Sequence, residues 1–491
     1  MGTPNDVGGD DRRELPLVVD MDGTLLGTDS LFEGVVHLWK LDPRLPLLLP
    51  FWLLRGKAAL KREIADRVSL DVANLPYNQR LLARLQEERH RRRLILCTAA
   101  DHRFADAVAT HVGVFDDVIA TRDDVNLKSV AKSRALVERY GVGGFDYAGN
   151  DTADLSVFAQ ARHAVVVTPT FALRRRLREV TNAEPLDAQL TTASQDWSLR
   201  PYLRLLRPHQ WVKNVLVFVP LLATIRMEHL GLIVPALMAM VCFCLISSTG
   251  YLLNDLFDLA ADRRHPRKRV RPLAAGTVPL HHAIGMIPIL LATGFLIAFQ
   301  ISALFAGVLF VYLMSTGAYT FWLKRVPLLD TPVLAGLYTL RILAGAAAIM
   351  VVPSVWLLSF SMFFFLSLAL AKRHSELIEL QGTEQAGTIP GREYQAGDLS
   401  TLISQGSASG YSAVLVLALY IDSSGVREHY RHPEVIWLIC PLVLYWINKL
   451  WLNSARRQIN DDPVIWAFSN RVSRGIALLS VVLLLLARWL P

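Results

Sequence analysis

Charged side chains are scarce in this 491-residue chain: 19% of residues are Asp, Glu, Lys or Arg, against about 25% in an ordinary globular domain. That shortage argues against a disordered chain, which needs charge to stay solvated, and against a cytosolic enzyme of usual composition. Cysteine is scarcer still. Cys97, Cys242, Cys244 and Cys440 all sit in apolar runs; four residues are too few for a disulfide framework, and the Cys242/Cys244 pair lacks the spaced partners of a zinc site. They read as small buried hydrophobes. Gly (29) and Pro (24) fall far below collagen-like usage. Hydrophobic residues are abundant instead, at 52% with a mean hydropathy of +0.33, which makes a membrane protein with a soluble attachment the leading class. The excess of 51 Lys+Arg over 43 Asp+Glu, a net +8, then fits basic cytoplasmic loops better than a nucleic-acid partner, and none is expected.

These averages conceal two unlike halves. Up to about residue 180, short apolar strands alternate with charged helical stretches; from about 208, long apolar segments are separated by short basic or polar loops. Leu15–Asp20, Arg93–Thr98, Phe145–Ala148 and His163–Thr168 read as buried strands separated by helices, the pattern of a parallel sheet covered by helices. Ligands in such α/β folds gather at the carboxyl ends of the strands, where Asp20, Thr98 and Asp151 fall. Residues 181–200 read as a linker. About nine apolar segments follow, near 212–225, 230–253, 281–298, 301–322, 327–350, 353–371, 406–421, 433–450 and 473–489, each close to bilayer-spanning length. Met1–Glu14 is polar, and Leu15–Val19 is too short for a signal-peptide core, so the N-terminal half is expected in the cytoplasm. The loops on that side then hold Arg204, Arg207, Lys213, Arg263 through Arg271, Lys324, Arg325, Lys372, Arg373, Arg456, Arg457 and Arg471. The opposite loops hold little beyond Arg226, Arg427 and Arg431, a bias that predicts N-in, C-out topology.

Directly after the first strand comes Asp20-Met-Asp22-Gly-Thr24. Two carboxylates two residues apart in extended chain point to one side, so one can attack a phosphorus while the other handles the proton. Mg²⁺ would offset their repulsion with phosphate. Thr98 can donate to a phosphate oxygen, Lys128 or Lys132 can supply balancing charge, and Asp151 with Asp154 adds carboxylates on the metal side. As an ordered set these elements resemble the haloacid dehalogenase (HAD) superfamily, in its phosphoserine-phosphatase-like branch. The resemblance implies a Rossmann-like α/β domain over residues 1–180 with a small helical cap near 31–85. It makes Asp20 the nucleophile, Asp22 the acid/base, Thr98 the phosphate binder and Lys128 the preferred phosphate lysine, with Lys132 the alternative. Asp151 and Asp154 join Asp20 and Asp22 at the metal.

Where a cap would sit, the sequence reads Leu45-Pro-Leu-Leu-Leu-Pro-Phe-Trp-Leu-Leu54, followed by Arg55, Lys57, Lys61 and Arg62. It is either a packed cap helix with a solvated charged face or a surface that touches lipid.

The second long apolar segment closes on Asn254-Asp255-Leu-Phe-Asp258-Leu-Ala-Ala-Asp262. Acids at a membrane helix end are costly and mark function by default. Spacings of three and four put the aspartates on one helical face, where converging hard oxygens favour Mg²⁺. Arg263, Arg264, His265, Arg267, Lys268, Arg269 and Arg271 follow at once, a cationic counterpart suited to phosphate. The pattern resembles the UbiA superfamily of intramembrane prenyltransferases. That likeness implies an all-α polytopic domain over 201–491, with Asn254, Asp255, Asp258 and Asp262 at the metal and Asp255 and Asp258 in the catalytic set. The second polar motif of that family falls here at Ala371-Lys372-Arg373-His374-Ser375-Glu376-Leu377 and departs from the usual pair of acids.

Arg207-Pro-His-Gln-Trp-Val-Lys213-Asn214, His265-Pro-Arg-Lys268 with Arg271-Pro272, Leu337-Tyr338-Thr-Leu-Arg341 and Tyr411 through Tyr420 narrow the likeness to the decaprenyl-phosphate phosphoribosyltransferase family. The implied reaction moves phosphoribose from phosphoribosyl diphosphate onto a polyprenyl phosphate at the bilayer. Extra phosphates call for extra cations, and Lys213, Arg267, Lys268, Arg271, Arg341, Lys372 and Arg373 are the candidates. The expected protein is a multi-pass, Mg²⁺-dependent membrane enzyme with both sites cytoplasmic; its oligomeric state is open. Two other readings are kept: prenylation of an aromatic or other acceptor from a prenyl diphosphate, and a lipid-binding or transport protein whose soluble domain is regulatory.

Overall fold

The computed structural model describes residues 14–122, 126–167, 170–176, 183–185, 199–223, 230–380, 393–423, 426, 430–459 and 462–489. Thr168, Arg226, Arg427 and most of the expected 181–200 linker lie outside the described residues. The chain divides into two units, Met1–Leu206 with Leu252–Met286, and Arg207–Tyr251 with Ile287–Pro491.

In the first unit, β1 (Glu14–Val19), β2 (Arg92–Asp101), β3 (Asp117–Thr121), β4 (Asp146–Gly149), β5 (Ala164–Val166) and β6 (Ala183–Pro185) form one sheet in the order β3-β2-β1-β4-β5-β6. Every pairing is parallel. The strands read as unbroken apolar runs because both faces are covered. Leu17, Val19, Leu94, Leu96 and Ala148 face one cluster, while Val18, Ile95, Cys97 and Tyr147 face the other. Two strands escape the sequence pattern. Asp117–Thr121 is five residues long between acidic neighbours, and Ala183–Pro185 falls inside the expected linker.

Helices α1 (Ser30–Leu41), α2 (Leu49–Leu54) and α3 (Lys57–Ala65) form the cap region, followed by α4 (Gln79–Glu88). Asp29 caps α1 by accepting from the Leu31 and Phe32 amides. Helices α5 (His102–Val112), α6 (Val130–Tyr140), α7 (Leu155–Phe158) and α8 (Phe171–Arg176) complete the domain, and α9 (Leu199–Leu206) leads out of it.

Among the described residues seven helices are long and apolar enough to cross a membrane: Gly231–Phe257, Leu280–Ile301, Ala303–Phe321, Asp330–Ala348, Val355–Glu379, Ala396–Asp422 and Pro433–Ala455. Pro463–Ser469 and Arg471–Arg488, bent by 75°, make an eighth if they count as one span. The protein is therefore a polytopic membrane protein, and the described residues supply seven to eight such spans where about nine are expected. The difference lies at 212–225, where a 3₁₀ stretch, Pro208–Phe218, gives way to the five-residue α10 (Val219–Ala223).

Close backbone approach holds the second unit together, as expected where lipid removes the hydrophobic drive between helices. A Cβ at Gly406 would meet Trp451 Cζ2 at 1.9 Å, and one at Gly345 would meet the Val217 carbonyl at 2.0 Å. Ser367 ties the first of these contacts by donating to the Gly406 carbonyl at 2.7 Å and accepting from Trp451 Nε1 at 3.1 Å. Gly406→Leu should lower stability by about 1–3 kcal/mol through overpacking, read as a fall in the thermal unfolding midpoint of the detergent-solubilised protein; an unchanged midpoint contradicts the contact.

Candidate functional sites

At the end of β1, the Asp20 amide donates to the Ala148 carbonyl at 2.9 Å, which sets the carboxylate beside β4. Lys132 Nζ donates to Asp20 Oδ1 at 2.7 Å and to Tyr147 Oη at 2.8 Å. Burial pushes the Asp20 carboxyl up to about 6 against the pull of Lys132. Burial acts to lower the Lys132 pKa, but the Asp20 and Asp154 carboxylates outweigh it and hold the ammonium above its ordinary value. Asp22 accepts from Ser30 N and Ser30 Oγ, both at 2.9 Å; burial first, then Asp29, raises its pKa well above the carboxylate range. Gly23 (φ +78°) turns the chain where a side chain could not fit, since a Cβ would meet Asn150 Nδ2 at 2.4 Å.

The lysine that reaches Asp20 is Lys132. Lys128, the preferred choice from sequence, is exposed and precedes α6, because Ser129 adopts φ 53° and the helix starts only at Val130. The two lysines therefore do not share a helical face. Thr98 is buried at the end of the apolar part of β2, where its Oγ1 accepts from the Ala100 amide at 3.1 Å. Asp154 turns inward: Oδ2 accepts from the Asn150 and Asp151 amides at 3.1 Å, and Oδ1 accepts from Tyr147 at 2.8 Å. It shapes the loop that presents Asp151, which accepts from Thr152 and Thr170. Lys61, which the sequence places only in the cap's charged run, donates to Asn126 Oδ1 at 2.7 Å and to the Ala99 carbonyl. Burial lowers its pKa against the opposing pull of the Asp22 charge.

The acidic helix end belongs to the same unit. Helix α11 (Leu230–Phe257) stops before Asp258, and α12 (Leu259–Arg264) continues from it. Asp255 and Asp262 converge on one cation: Arg271 Nη1 donates to Asp255 Oδ1 at 3.3 Å and to Asp262 Oδ2 at 2.6 Å. Asp258 stands apart, accepting from Asn254 Nδ2 at 2.8 Å. Among the described residues no group of three or more His, Cys, Asp or Glu side chains is close enough to hold a metal, so two of the aspartates converge and the third does not. Arg267 and Lys268 are exposed in a loop that His265 Nδ1 tightens by accepting from both of their amides.

This loop is clamped to the cap. Arg263 donates from Nη1 and Nη2 to Glu33 at 3.1 and 2.5 Å, with Glu33 only 1% exposed. Thr28 Oγ1 also donates to Glu33, at 2.7 Å. Arg264 pairs with Asp71, and Trp39 packs edge-on against Phe257 at 5.0 Å between ring centroids. Nothing in the periodicity of α1 marks Glu33 as buried.

The second unit holds a polar cluster of its own. Lys213 and Lys372 both donate to Asp462 Oδ2, at 2.5 and 3.4 Å, while Asp462 Oδ1 accepts from the Val464 amide at 3.0 Å. Arg341 is buried, donating to Asn214 Oδ1 at 3.0 Å, Tyr312 Oη at 2.8 Å and the Leu337 carbonyl at 2.7 Å. The Tyr338 ring lies 5.3 Å from the Arg341 guanidinium and 5.9 Å from Lys213 Nζ. Among the described residues no carboxylate forms an ion pair with Arg341. Asp462 was not singled out from sequence, although an acid directly before Pro463 is a helix-start signature.

Arg373 is different. It is fully buried and donates to Asp330 at 2.5 Å, Glu376 at 2.7 Å and Tyr319 at 2.7 Å; Tyr394 also donates to Asp330, at 2.6 Å. A guanidinium so fully engaged is a structural group, and the geometry removes it from the phosphate-binding candidates. His374 is likewise buried, 2.7 Å from Ser454 Oγ.

The sequence profile of the UbiA prenyltransferase family matches residues 215–472. The uncharacterized protein y4nM of Sinorhizobium fredii is 37% identical over 465 residues, 94% of this chain and 89% of that one. Nodulation protein NoeC of Azorhizobium caulinodans is 34% identical over 281 residues, covering 56% of this chain and 91% of its own length. The decaprenyl-phosphate phosphoribosyltransferase of Mycolicibacterium smegmatis is 35% identical over 195 residues, 39% of this chain and 61% of that protein.

Removing one partner of a buried ion pair costs about 3–5 kcal/mol. Arg373→Met should show that loss in thermal unfolding, and adding Asp330→Asn should restore part of it. Failure of the second change to rescue the first would return Arg373 to the phosphate-binding set.

Proposed function

Because the chain belongs to the UbiA prenyltransferase family, as an integral membrane transferase with an N-terminal HAD-like domain, we propose that it moves phosphoribose from phosphoribosyl diphosphate onto a polyprenyl phosphate. We further propose that the HAD-like site then removes the 5-phosphate. The observation that carries the first step is the charge imbalance in the second unit: buried Lys213 and half-buried Lys372 share a single carboxylate, Asp462, and buried Arg341 has no ion pair among the described residues. A prenyl diphosphate donor presents one diphosphate, whereas this reaction must also hold a 5-phosphate and an acceptor phosphate. Buried cations in excess of carboxylates suit that demand, since an uncompensated buried charge favours binding of its counter-ion.

In the transfer, the acceptor phosphate oxygen bonds to ribose C1 as the C1–O bond to diphosphate breaks and diphosphate departs. Asn254, Asp255, Asp258 and Asp262 would hold Mg²⁺, which offsets charge on the leaving diphosphate. The donors are hard oxygens of the right chemistry, but only Asp255 and Asp262 converge, on Arg271, so holding the metal would require Asp258 to leave Asn254 and turn toward them. Each unit then brings phosphate-binding cations of its own: Arg271, Arg267 and Lys268 in the first, and Lys213, Arg341 and Lys372 in the second. The soluble domain lies on the cytoplasmic side in this reading, on the strength of the loop-charge bias.

At the HAD-like site, the Asp20 carboxylate attacks the phosphorus and Asp22 gives its proton to the departing ribose oxygen; water then frees phosphate from Asp20. The raised pKa of Asp22 suits a residue that must arrive protonated. Lys132 holds Asp20 in place, and Thr98 donates to a phosphate oxygen. Asp20 and Asp151 would hold Mg²⁺ there, with Asp154 bracing the Asp151 loop and Asp22 left free of the metal for proton transfer.

Membranes given labelled phosphoribosyl diphosphate, polyprenyl phosphate and Mg²⁺ should yield lipid-linked label. No label sinks the transfer, and Asp258→Ala should abolish it while lipid binding persists. Asp20→Asn should leave transfer intact and make the 5-phosphorylated lipid accumulate; an unchanged product profile defeats the second step. Loss of one charge-assisted phosphate contact, worth about 1.5–3 kcal/mol, makes Arg341→Ala about 10- to 100-fold poorer in kcat/KM for transfer. In the phosphatase step Lys132→Ala should be far more damaging than Lys128→Ala, measured as release of inorganic phosphate.

A further inference from the structure

A surface helix on a soluble domain ordinarily carries one apolar stripe and one polar face. The segment Leu45–Leu54 carries two apolar stripes. Leu45, Leu49 and Trp52 turn inward and pack in the cluster of Leu38, Ile64 and Phe104. Leu47, Phe51 and Leu54 repeat the same spacing of four and three on the outside, and they are 72%, 64% and 85% exposed. Leu41, Leu48 and Leu53 widen the exposed patch. No residue between 45 and 54 is polar. An exposed apolar surface of this kind marks an interaction site.

Two further observations say what covers it. The patch is rimmed by the exposed cations Lys40, Arg44, Arg55 and Lys57, of which Arg55 pairs with Glu63 at 3.1 Å. It also follows directly on α1, whose Trp39 packs on Phe257, the last residue of the apolar span Gly231–Phe257. The patch thus begins beside the end of a membrane-crossing helix. A second copy of the chain could cover leucines, but it would give no reason for a cationic rim; anionic headgroups over acyl chains account for both. A domain already tethered to the bilayer needs little intrinsic affinity to stay docked.

We propose that the cap segment Leu45–Leu54 lies in the bilayer interface, with Leu47, Phe51 and Leu54 among the upper acyl carbons and Arg44, Arg55 and Lys57 at anionic headgroups. This rests on the membrane topology alone and holds whether or not the transfer reading does. The test uses the full-length protein in nanodiscs of phosphatidylcholine and phosphatidylglycerol, with Cys440→Ser as background and a nitroxide on a single introduced cysteine. Labels at Leu47→Cys, Phe51→Cys and Leu54→Cys should collide with oxygen several-fold more than with a polar nickel chelate. A label at Val142→Cys, which is 72% exposed on the same domain, should show the reverse. Water-like collisions at 51 and 54 overturn the proposal, as does a label shielded from both reagents, which would mean a protein partner. In phosphatidylcholine alone the oxygen preference should fall by half or more; no change overturns the role given to the cations.

Discussion

An ionised group taken out of water must be matched by a partner of opposite charge or by a full set of hydrogen bonds, or the structure that buries it is unstable. That constraint governs how this chain is put together. Lys132 and Asp20 are 112 positions apart in sequence, Glu33 and Arg263 are 230 apart, and Lys213 and Asp462 are 249 apart. Each pair fixes where two remote segments meet, because neither member can be left alone in its surroundings. In a membrane, where apolar side chains find lipid as good a neighbour as each other, such pairs and the close approach at Gly345 and Gly406 carry much of the specificity of helix packing.

The same constraint separates framework from site. Arg373 meets Asp330 and Glu376 and adds a tyrosine hydroxyl, so its charge is fully answered. Arg341 meets only neutral oxygens and an aromatic face, and Lys213 and Lys372 divide one carboxylate between them. Charge left over in a buried cluster is a standing preference for an anion. Arg271, held between Asp255 and Asp262, is the converse: one arginine keeps two buried acids from repelling one another.

The clamp between Glu33 and Arg263 lies within the first unit. The segment Leu252–Met286, which carries the aspartates and the arginine-rich loop, packs with the N-terminal unit. The cap helix α1 therefore has two attachments: Asp22 accepts from Ser30 at its start, and Glu33 holds Arg263 one turn later. Two candidate phosphate sites are braced by the first turn of one helix.

Much was legible in the sequence, because it depends on composition and spacing that hold without neighbours. The parallel sheet follows from Leu15–Asp20, Arg93–Thr98 and the strands after them. The bilayer follows from long apolar runs, and the first acidic motif from three aspartates at a helix end. The edge strand Asp117–Thr121 was too short and too polar at its borders to announce itself. The 3₁₀ stretch Pro208–Phe218 carries a helix's apolarity without its geometry. What only the tertiary structure decided are the pairings: Lys132 over Lys128 because Ser129 turns the chain before the helix starts, Asp462 as the acid shared by two lysines, Arg373 as framework, and Leu47, Phe51 and Leu54 facing outward. The physical reason is that periodicity and propensity act over a few residues, whereas the compensation of a buried charge, and the covering of an apolar face, depend on which distant segment the fold brings alongside.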